Sequence, residues 1–377
     1  MRLMHIINLA FCQAVVSAIG LCVVPLHVPS QSPNLATITS ACLPSFPYKD
    51  GWLGGDAGYS IPLAPGKSLW LFGDSFVGKS SSTRSGSRFV RNAIALSTCD
   101  EQKGWQINYY WGNQKKGTAR SFFETNTKNY WYWPLDGFIY QNRLYVAIAK
   151  LEDNPKEKIF SFKTAGVVLA KISNLAAPPN QWRIDYSKLT QGSAFYPGST
   201  IVIQGAHAYF FAVDEVQKGM ILIRIPLDKL DAPSANLEYF AKNKSWKHGL
   251  NGVDAHVVIE TGHSEMSVRY HPEIKQWLAV TGGDFMSNKI MVRTAPELTG
   301  PWSQMQAAYE FPEMNPKTEG HDADTWCYAV KEHIEFASAN KLLVTYACNS
   351  FKFEKQVSNM SIYRPQAVSI DFPVSLK

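Results

Sequence analysis

Charge is scarce in this chain. Asp, Glu, Lys and Arg together make up 18% of its 377 residues, and the net excess of +6 is not gathered into a patch. The densest cationic runs, "NQKKG" and "NKSWKHG", are short and far apart. The charge therefore reads as solvation and argues against nucleic-acid binding. No CxxC pair occurs among the six cysteines, so a zinc site is not indicated. Beyond the first 24 residues no apolar run is long enough to cross a membrane. Long helices are also disfavoured, because 25 Gly and 21 Pro are spread evenly along the chain.

The N-terminus is the exception to the lack of apolar runs. One arginine precedes a stretch from about Ile6 to Val24, and "VSA" at Val16–Ala18 has the small-residue form of a cleavage site. Residues 1–24 are expected to be a secretory signal, with an uncleaved anchor as the rival, and 25–45 a linker. No lipobox fits "LAFC" or "IGLC". Export to a secreted or periplasmic location leaves Cys42, Cys99, Cys327 and Cys348 in a setting that permits disulfides. Three pairings are open, as is a set of buried free thiols. We expect Cys42–Cys99 and Cys327–Cys348, the second because these residues flank one hairpin.

What the chain has in abundance is aromatic: 13% of residues, with 11 Trp and 17 Tyr. They recur in a pattern of a small or acidic residue, an alternating apolar strand, a tight turn and an aromatic-rich return strand. The pattern starts at Gly54 ("GGDAGYSIPLAPGKSLWLFGD"), Pro134, Tyr196, His263 and Trp326, at intervals of roughly 65 residues. A third strand and usually a Trp-containing fourth follow each hairpin. Period-2 alternation bounded by Gly, Pro, Asn and Asp marks antiparallel strands, and four strands repeated five times make an all-β, five-bladed β-propeller over residues 46–377. Counting outward from each turn pairs Ala57 with Asp74, Trp133 with Lys150, Pro197 with Asp214, His263 with Asp284 and Trp326 with Asn349.

In a propeller the start of each innermost strand and the end of the second lie on one face around the axis. Asp56, Asp74, Asp136, Asp214, Glu265 and Asp284 are thereby expected at one mouth, with Trp133, Tyr196, His263 and Trp326. Asp214 and Asp284 also fit turn-capping roles. Asp56, Asp136 and Glu265 each begin an innermost strand, where crowded, half-desolvated acids acquire the shifted pKa values that acid/base chemistry uses. Tyr130, Trp131, Trp133 and Trp326 offer flat apolar faces on which a ligand could stack. Trp70, Trp277 and Trp302 read as packing between blades. Arg269 and His263 flank Glu265 and would orient it or bind hydroxyls. The loop that begins at Tyr109 is expected to form one wall of the mouth.

"GGDAGYSIPL…LWLFGDSF", "WYWPLDGFIYQNRLYVAI", "SEMSVRYHPEIKQWLAV" and "CYAVKEH…LLVTYACN" resemble a secreted five-bladed propeller family once catalogued as a domain of unknown function, which includes bacterial endo-D-arabinanases. Its architecture is akin to arabinanase, xylosidase and invertase-type glycosidases. The resemblance implies a monomeric glycoside hydrolase with acids at the mouths of successive blades. Asp56 and Asp136 match the first two, but "FYPGSTIVI" has no acid in the third, and Glu265 stands in the fourth. It therefore implies Glu265 as proton donor, Asp56 as base or nucleophile and Asp136 as modulator, with Asp56 and Asp74 as a local pair the competing arrangement. Sialidases usually carry S-x-D-x-G-x-x-W turns, and none is present. A non-catalytic glycan-binding propeller is the alternative. No cofactor is expected beyond a structural calcium ion. "EGHDADTW" is acidic enough for a metal, and analogy with related glycosidases implies His321 as an axial ligand.

Overall fold

The structure is a computed structural model that describes residues 42–372 apart from 80–81, 101, 113–117, 157–160, 262, 285, 320 and 339. The signal expected at 1–24 and most of the linker lie outside the described residues. The rest is a five-bladed propeller. Blade I is β1 (Trp52–Ala64), β2 (Lys67–Val77), β4 (Ala93–Asp100) and β5 (Gly104–Tyr110), with β3 (Arg88–Val90) beside β2. Blade II is β6 (Tyr130–Tyr140), β7 (Arg143–Asp153), β8 (Phe162–Ile172) and β9 (Ile184–Gln191). Blade III runs from β10 (Phe195–Gln204) through β11 (His207–Asp214), β12 (Gly219–Pro226) and β13 (Glu238–Phe240) to β14 (Trp246–His248), and β15 (Val257–Ile259) adds to β12. Blade IV is β16 (Met266–His271), β17 (Gln276–Gly282), β18 (Lys289–Ala295) and β19 (Gln306–Glu310). Blade V has three strands among the described residues: β20 (Thr325–Glu332), β21 (Lys341–Ser350) and β22 (Pro365–Asp371).

Turn chemistry sets the hairpins. Between β6 and β7, Gln141 and Asn142 both take positive φ, 47° and 60°, the two-residue turn whose twist matches that of the strands. The core lies between neighbouring blades, because each sheet is apolar on both faces. Phe138 and Ala147 of blade II pack with Phe210 and Ile221 of blade III, and Phe211 and Leu222 of blade III with Val268 and Trp277 of blade IV. Each such large apolar side chain contributes roughly 1.5–3 kcal/mol when fully buried. Trp302 packs edge-on against Phe211, and Trp70 stacks on Phe336 of blade V, so the three tryptophans expected between blades are there.

The ring closes through Arg84. Its fully buried guanidinium donates to the carbonyls of Leu53, Gln356, Asn359 and Ile362 and to the Tyr48 hydroxyl, tying blade I to the segment between β21 and β22. Both expected disulfides are present. Cys327 and Cys348 face each other across β20 and β21, and Cys42–Cys99 ties the start of the domain to β4. No described helix is long and apolar enough to cross a membrane.

Trp326 faces Asn349 as expected. Three other registers differ: Ala57 faces Phe72, Trp133 faces Ala149, and Asp214 faces Phe195. In each case a β-bulge lies between the turn and the mouth, so counting from the turn goes astray by one or two residues.

Candidate active site

Four innermost strands are irregular where they reach the axis. The register shifts between Gly55 and Ala57, Pro134 and Asp136, Pro197 and Thr200, and Tyr328 and Lys331. Ala57 and Ala329 sit at these kinks with φ of 66° and 59°, a left-handed backbone that non-glycine residues seldom adopt. The kinks open a cavity of about 980 Å³ at one end of the axis. Asp56, Asp74 and Glu265 line it, with Trp133, Tyr196 and Trp326 among its aromatic walls.

Consecutive residues of β20 hold two of the carboxylates. The Tyr328 hydroxyl donates to Asp56 Oδ2 at 2.7 Å, and the Ala329 N–H donates to Glu265 Oε2 at 2.7 Å. A methyl group at Gly73 would stand 2.3 Å from Asp56 Oδ1, so the close approach of β2 needs glycine there. Burial first, and then the like charge of Asp74, push Asp56 well above the usual carboxylate range against the pull of the Tyr328 hydrogen bond. Asp74 accepts from Trp133 Nε1 at 2.9 Å and from Arg91 Nη1 at 3.3 Å, and burial still raises it to about 6. Burial also raises Glu265, opposed by the Ala329 N–H, the Tyr59 hydroxyl and the Lys331 charge. Asp56 and Asp74 thus interact as like charges and hold a proton between them more tightly than isolated carboxylates would, while Glu265, raised as well, has neighbours that partly offset its burial.

His263 and Asp284 line the same cavity, and burial lowers the His263 pKa. The Trp326 ring stacks on Tyr328 at 4.3 Å. Other expected residues fall elsewhere. Asp136 is 1% exposed and lies beneath the floor, where its carboxylate accepts the Gly137 and Ile201 N–H groups and faces Arg269 and Lys331. Arg269 belongs to this same sub-floor network, donating to Thr200 Oγ1, and is not part of the cavity lining. Trp131 is one layer behind Trp133 with Arg91 over its ring at 4.4 Å, and Tyr130 sits under Lys150 Nζ at 3.9 Å. The described residues of the stretch from Tyr109 do not line the cavity. Tyr109 stacks on Trp52 inside blade I, and Phe123 is buried in the seam between blades I and II. Asp214 caps the turn after β11 by accepting the Val216 and Gln217 N–H groups.

The two aspartates of "EGHDADTW" are taken by cations of the chain itself: Lys355 pairs with Asp322 and Asp324, and Lys352 with Asp324. His321 lies beside the Glu313 carbonyl in the loop before β20 and is not among the residues that line the cavity. The one compact group of potential metal ligands among the described residues is Glu313, Cys327 and Cys348, and its two sulfurs are joined in a disulfide. Sequence reasoning missed Tyr59, Arg91, Tyr328 and Lys331. Tyr328 was within reach, since strand alternation puts it on the same face as Trp326.

Among solved structures the chain is similar to a Bacteroides ovatus protein that carries a provisional description as a hydrolase, at 16% identity and TM-score 0.68 over 85% of this chain and 86% of that one. That likeness shows a shared fold. A GH43_1 enzyme from Xanthomonas citri complexed with xylotriose matches at 8% identity and TM-score 0.47, over 88% and 91% of the two chains. The catalytic domain of a GH62 α-L-arabinofuranosidase from Coprinopsis cinerea matches at 9% identity and TM-score 0.44, over 88% and 94%. No curated protein matches in sequence. The profile of one family covers residues 45–371, nearly all of the propeller, and the chain belongs to that family, described as "Domain of unknown function (DUF5005)".

Proposed function

We propose that the protein is an exported glycoside hydrolase that cleaves a polysaccharide, furanose-containing and arabinan-like, by acid/base chemistry of carboxylates at the propeller mouth. The observation that carries this reading is the placement of Asp56 and Glu265 in one aromatic-walled cavity, held by the adjacent residues Tyr328 and Ala329, with both raised by burial but Asp56 raised further by the like charge of Asp74 and Glu265 opposed by the Lys331 charge. Glycoside hydrolysis needs two carboxyl groups in different protonation states at one bond. Burial and the Asp74 charge keep a proton on Asp56, which suits it to protonate the leaving oxygen. The Ala329 N–H, Tyr59 and Lys331 favour the Glu265 carboxylate, which suits it to assist attack at the anomeric carbon. These environments favour the reverse of the roles that resemblance alone implies. Trp133 and Trp326 would stack on the sugar rings. Two disulfides support export to an oxidising compartment.

The test is a polysaccharide panel that includes arabinans, run on the wild type, Asp56→Asn and Glu265→Gln. Turnover that survives both substitutions overturns the assignment. If Asp56 is the acid, Asp56→Asn keeps more activity on aryl glycosides with good leaving groups than on the polysaccharide, and Glu265→Gln shows no such rescue. Tight glycan binding without turnover by the wild type would instead mark a binding propeller.

A further inference from the structure

Beneath the three carboxylates the axis is filled by a charge network to which every blade contributes. Lys331 of β20 is 2% exposed. Its Nζ donates to the Leu135 carbonyl of β6 at 2.8 Å, lies 3.8 Å from Asp136 Oδ2, and stands 4.3 Å above the Tyr59 ring of β1. Asp136 Oδ2 also accepts the Ile201 N–H of β10 at 2.8 Å and faces Arg269 Nη2 of β16 at 3.5 Å. Arg269 Nη1 in turn donates to Thr200 Oγ1 of β10.

A buried and a half-buried cation thus converge on one buried anion. The other carboxylate whose field acts on Lys331 is Glu265, which accepts the Ala329 N–H two residues before Lys331 and has the Tyr59 hydroxyl, on the ring that Lys331 covers, as a further favourable neighbour. The groups facing Glu265 are Asp56 and Tyr59 of β1, Tyr196 of β10, and Tyr328, the Ala329 N–H and Lys331 of β20. The cation among them is Lys331.

We propose that Lys331 is the internal cation of the active site, a positioning residue fixed on the axis by Leu135 and Asp136 that keeps Glu265 ionised and aims it through Tyr59. This role rests on the carboxylate mechanism above, but the coupling itself does not depend on turnover. Burial would drive the ammonium to release its proton, and Asp136 and Glu265 counter that pull, leaving Lys331 at about 8. Charged Lys331 and charged Glu265 therefore support each other, and each is weakened when the other is neutralised.

The experiment titrates carboxyl-labelled glutamates in the full chain by carbon NMR, with Glu265→Gln to assign the signal, in the wild type, Lys331→Met, Lys331→Arg and Asp136→Asn. Lys331→Met is expected to raise the Glu265 midpoint by about one pH unit, and Lys331→Arg to restore most of the shift. An unmoved midpoint in folded Lys331→Met overturns the proposal. So does a wild-type Glu265 that is still protonated at neutral pH. Should Lys331→Met not fold, Asp136→Asn decides. It removes the anion that holds the Lys331 proton and position and should raise the midpoint, in the same direction as Lys331→Met, and an unchanged or lowered midpoint overturns the proposal. Where a cleaved glycan is in hand, the acidic limb of the rate profile should move with the midpoint in each variant, with kcat affected more than KM. If no glycan is cleaved, the hydrolase reading fails while the NMR result still decides the coupling.

Discussion

Asp56 in "GGDAGY" and Asp136 in "PLDGFI" begin equivalent strands of neighbouring blades, yet they end on different levels of the molecule. In β1 the bulge falls at Asp56 itself, between Gly55 and Ala57, and turns the carboxylate into the cavity. In β6 the bulged residue is Leu135, which lines the cavity, while Asp136 drops beneath it to meet Lys331 and Arg269. One residue of backbone slip moves a side chain from one face to another. The mouth consequently gathers like charges that resist ionisation, and the floor gathers opposite charges that need one another.

The largest expected effect separates these levels by activity. Asp56→Asn and Glu265→Gln should each lower kcat on a cleaved glycan by about 10²–10⁴-fold. Their unfolding midpoints should stay level or rise, because a crowded acid has been removed. The second effect separates them by stability. Asp136→Leu strands the buried Lys331, the half-buried Arg269 and the Ile201 N–H, and should cost about 3–5 kcal/mol in urea unfolding at constant slope. A loss under about 1 kcal/mol would place Asp136 among the mouth acids after all.

The two levels also divide the pH axis. Asp74 stands at about 6 in the folded chain against 3.8 as a free side chain. The native state therefore binds that proton more tightly, and Asp74 adds stability as pH falls from 6 toward 4. At the floor, His271 of β16 lies 2.8 Å from Glu332 and 3.0 Å from Glu273, and these carboxylates raise it from 6.5 to about 9 against the opposing pull of burial. Its contribution is complete below 6.5 and disappears as pH rises through 9. Asp74→Asn should flatten the stability curve in the acid window, and His271→Gln in the alkaline one. A single variant that flattens both would show one coupled cluster where the geometry has two.

Much of this was legible in the sequence. Hairpin starts, the Cys327–Cys348 disulfide across one hairpin and the Trp326–Asn349 register follow from alternation and turn residues, which are local properties. The bulges are not local. Glycine marks some of them, as at Gly198 with φ of 108°, but Ala57 and Ala329 adopt positive φ without a residue type that announces it. Tertiary packing imposes those kinks, so the level reached by Asp136 and Arg269 was out of reach. Lys331 was hidden for a related reason. In "CYAVKEH" a lysine reads as a solvated strand end, and only the convergence of five strands shows that it is buried.

The smallest effect tests how far the mouth acids depend on their aromatic neighbours. Trp133 presents a ring to the cavity and an N–H to Asp74, so stacking and tuning reside in one side chain. Trp133→Phe keeps a ring and deletes the hydrogen bond, leaving Arg91 as the donor to Asp74. A carboxylate that loses one of two donors should gain less than about one pH unit, visible as a small alkaline shift of the acidic limb with KM little changed. Trp133→Ala, which removes the ring as well, should raise KM in addition. If Trp133→Phe instead raises KM as much as Trp133→Ala with no shift of the limb, the indole N–H serves the sugar and not Asp74. Asp74 would then owe its ionisation to Arg91, and the Asp56–Asp74 pair would be set by blade I alone.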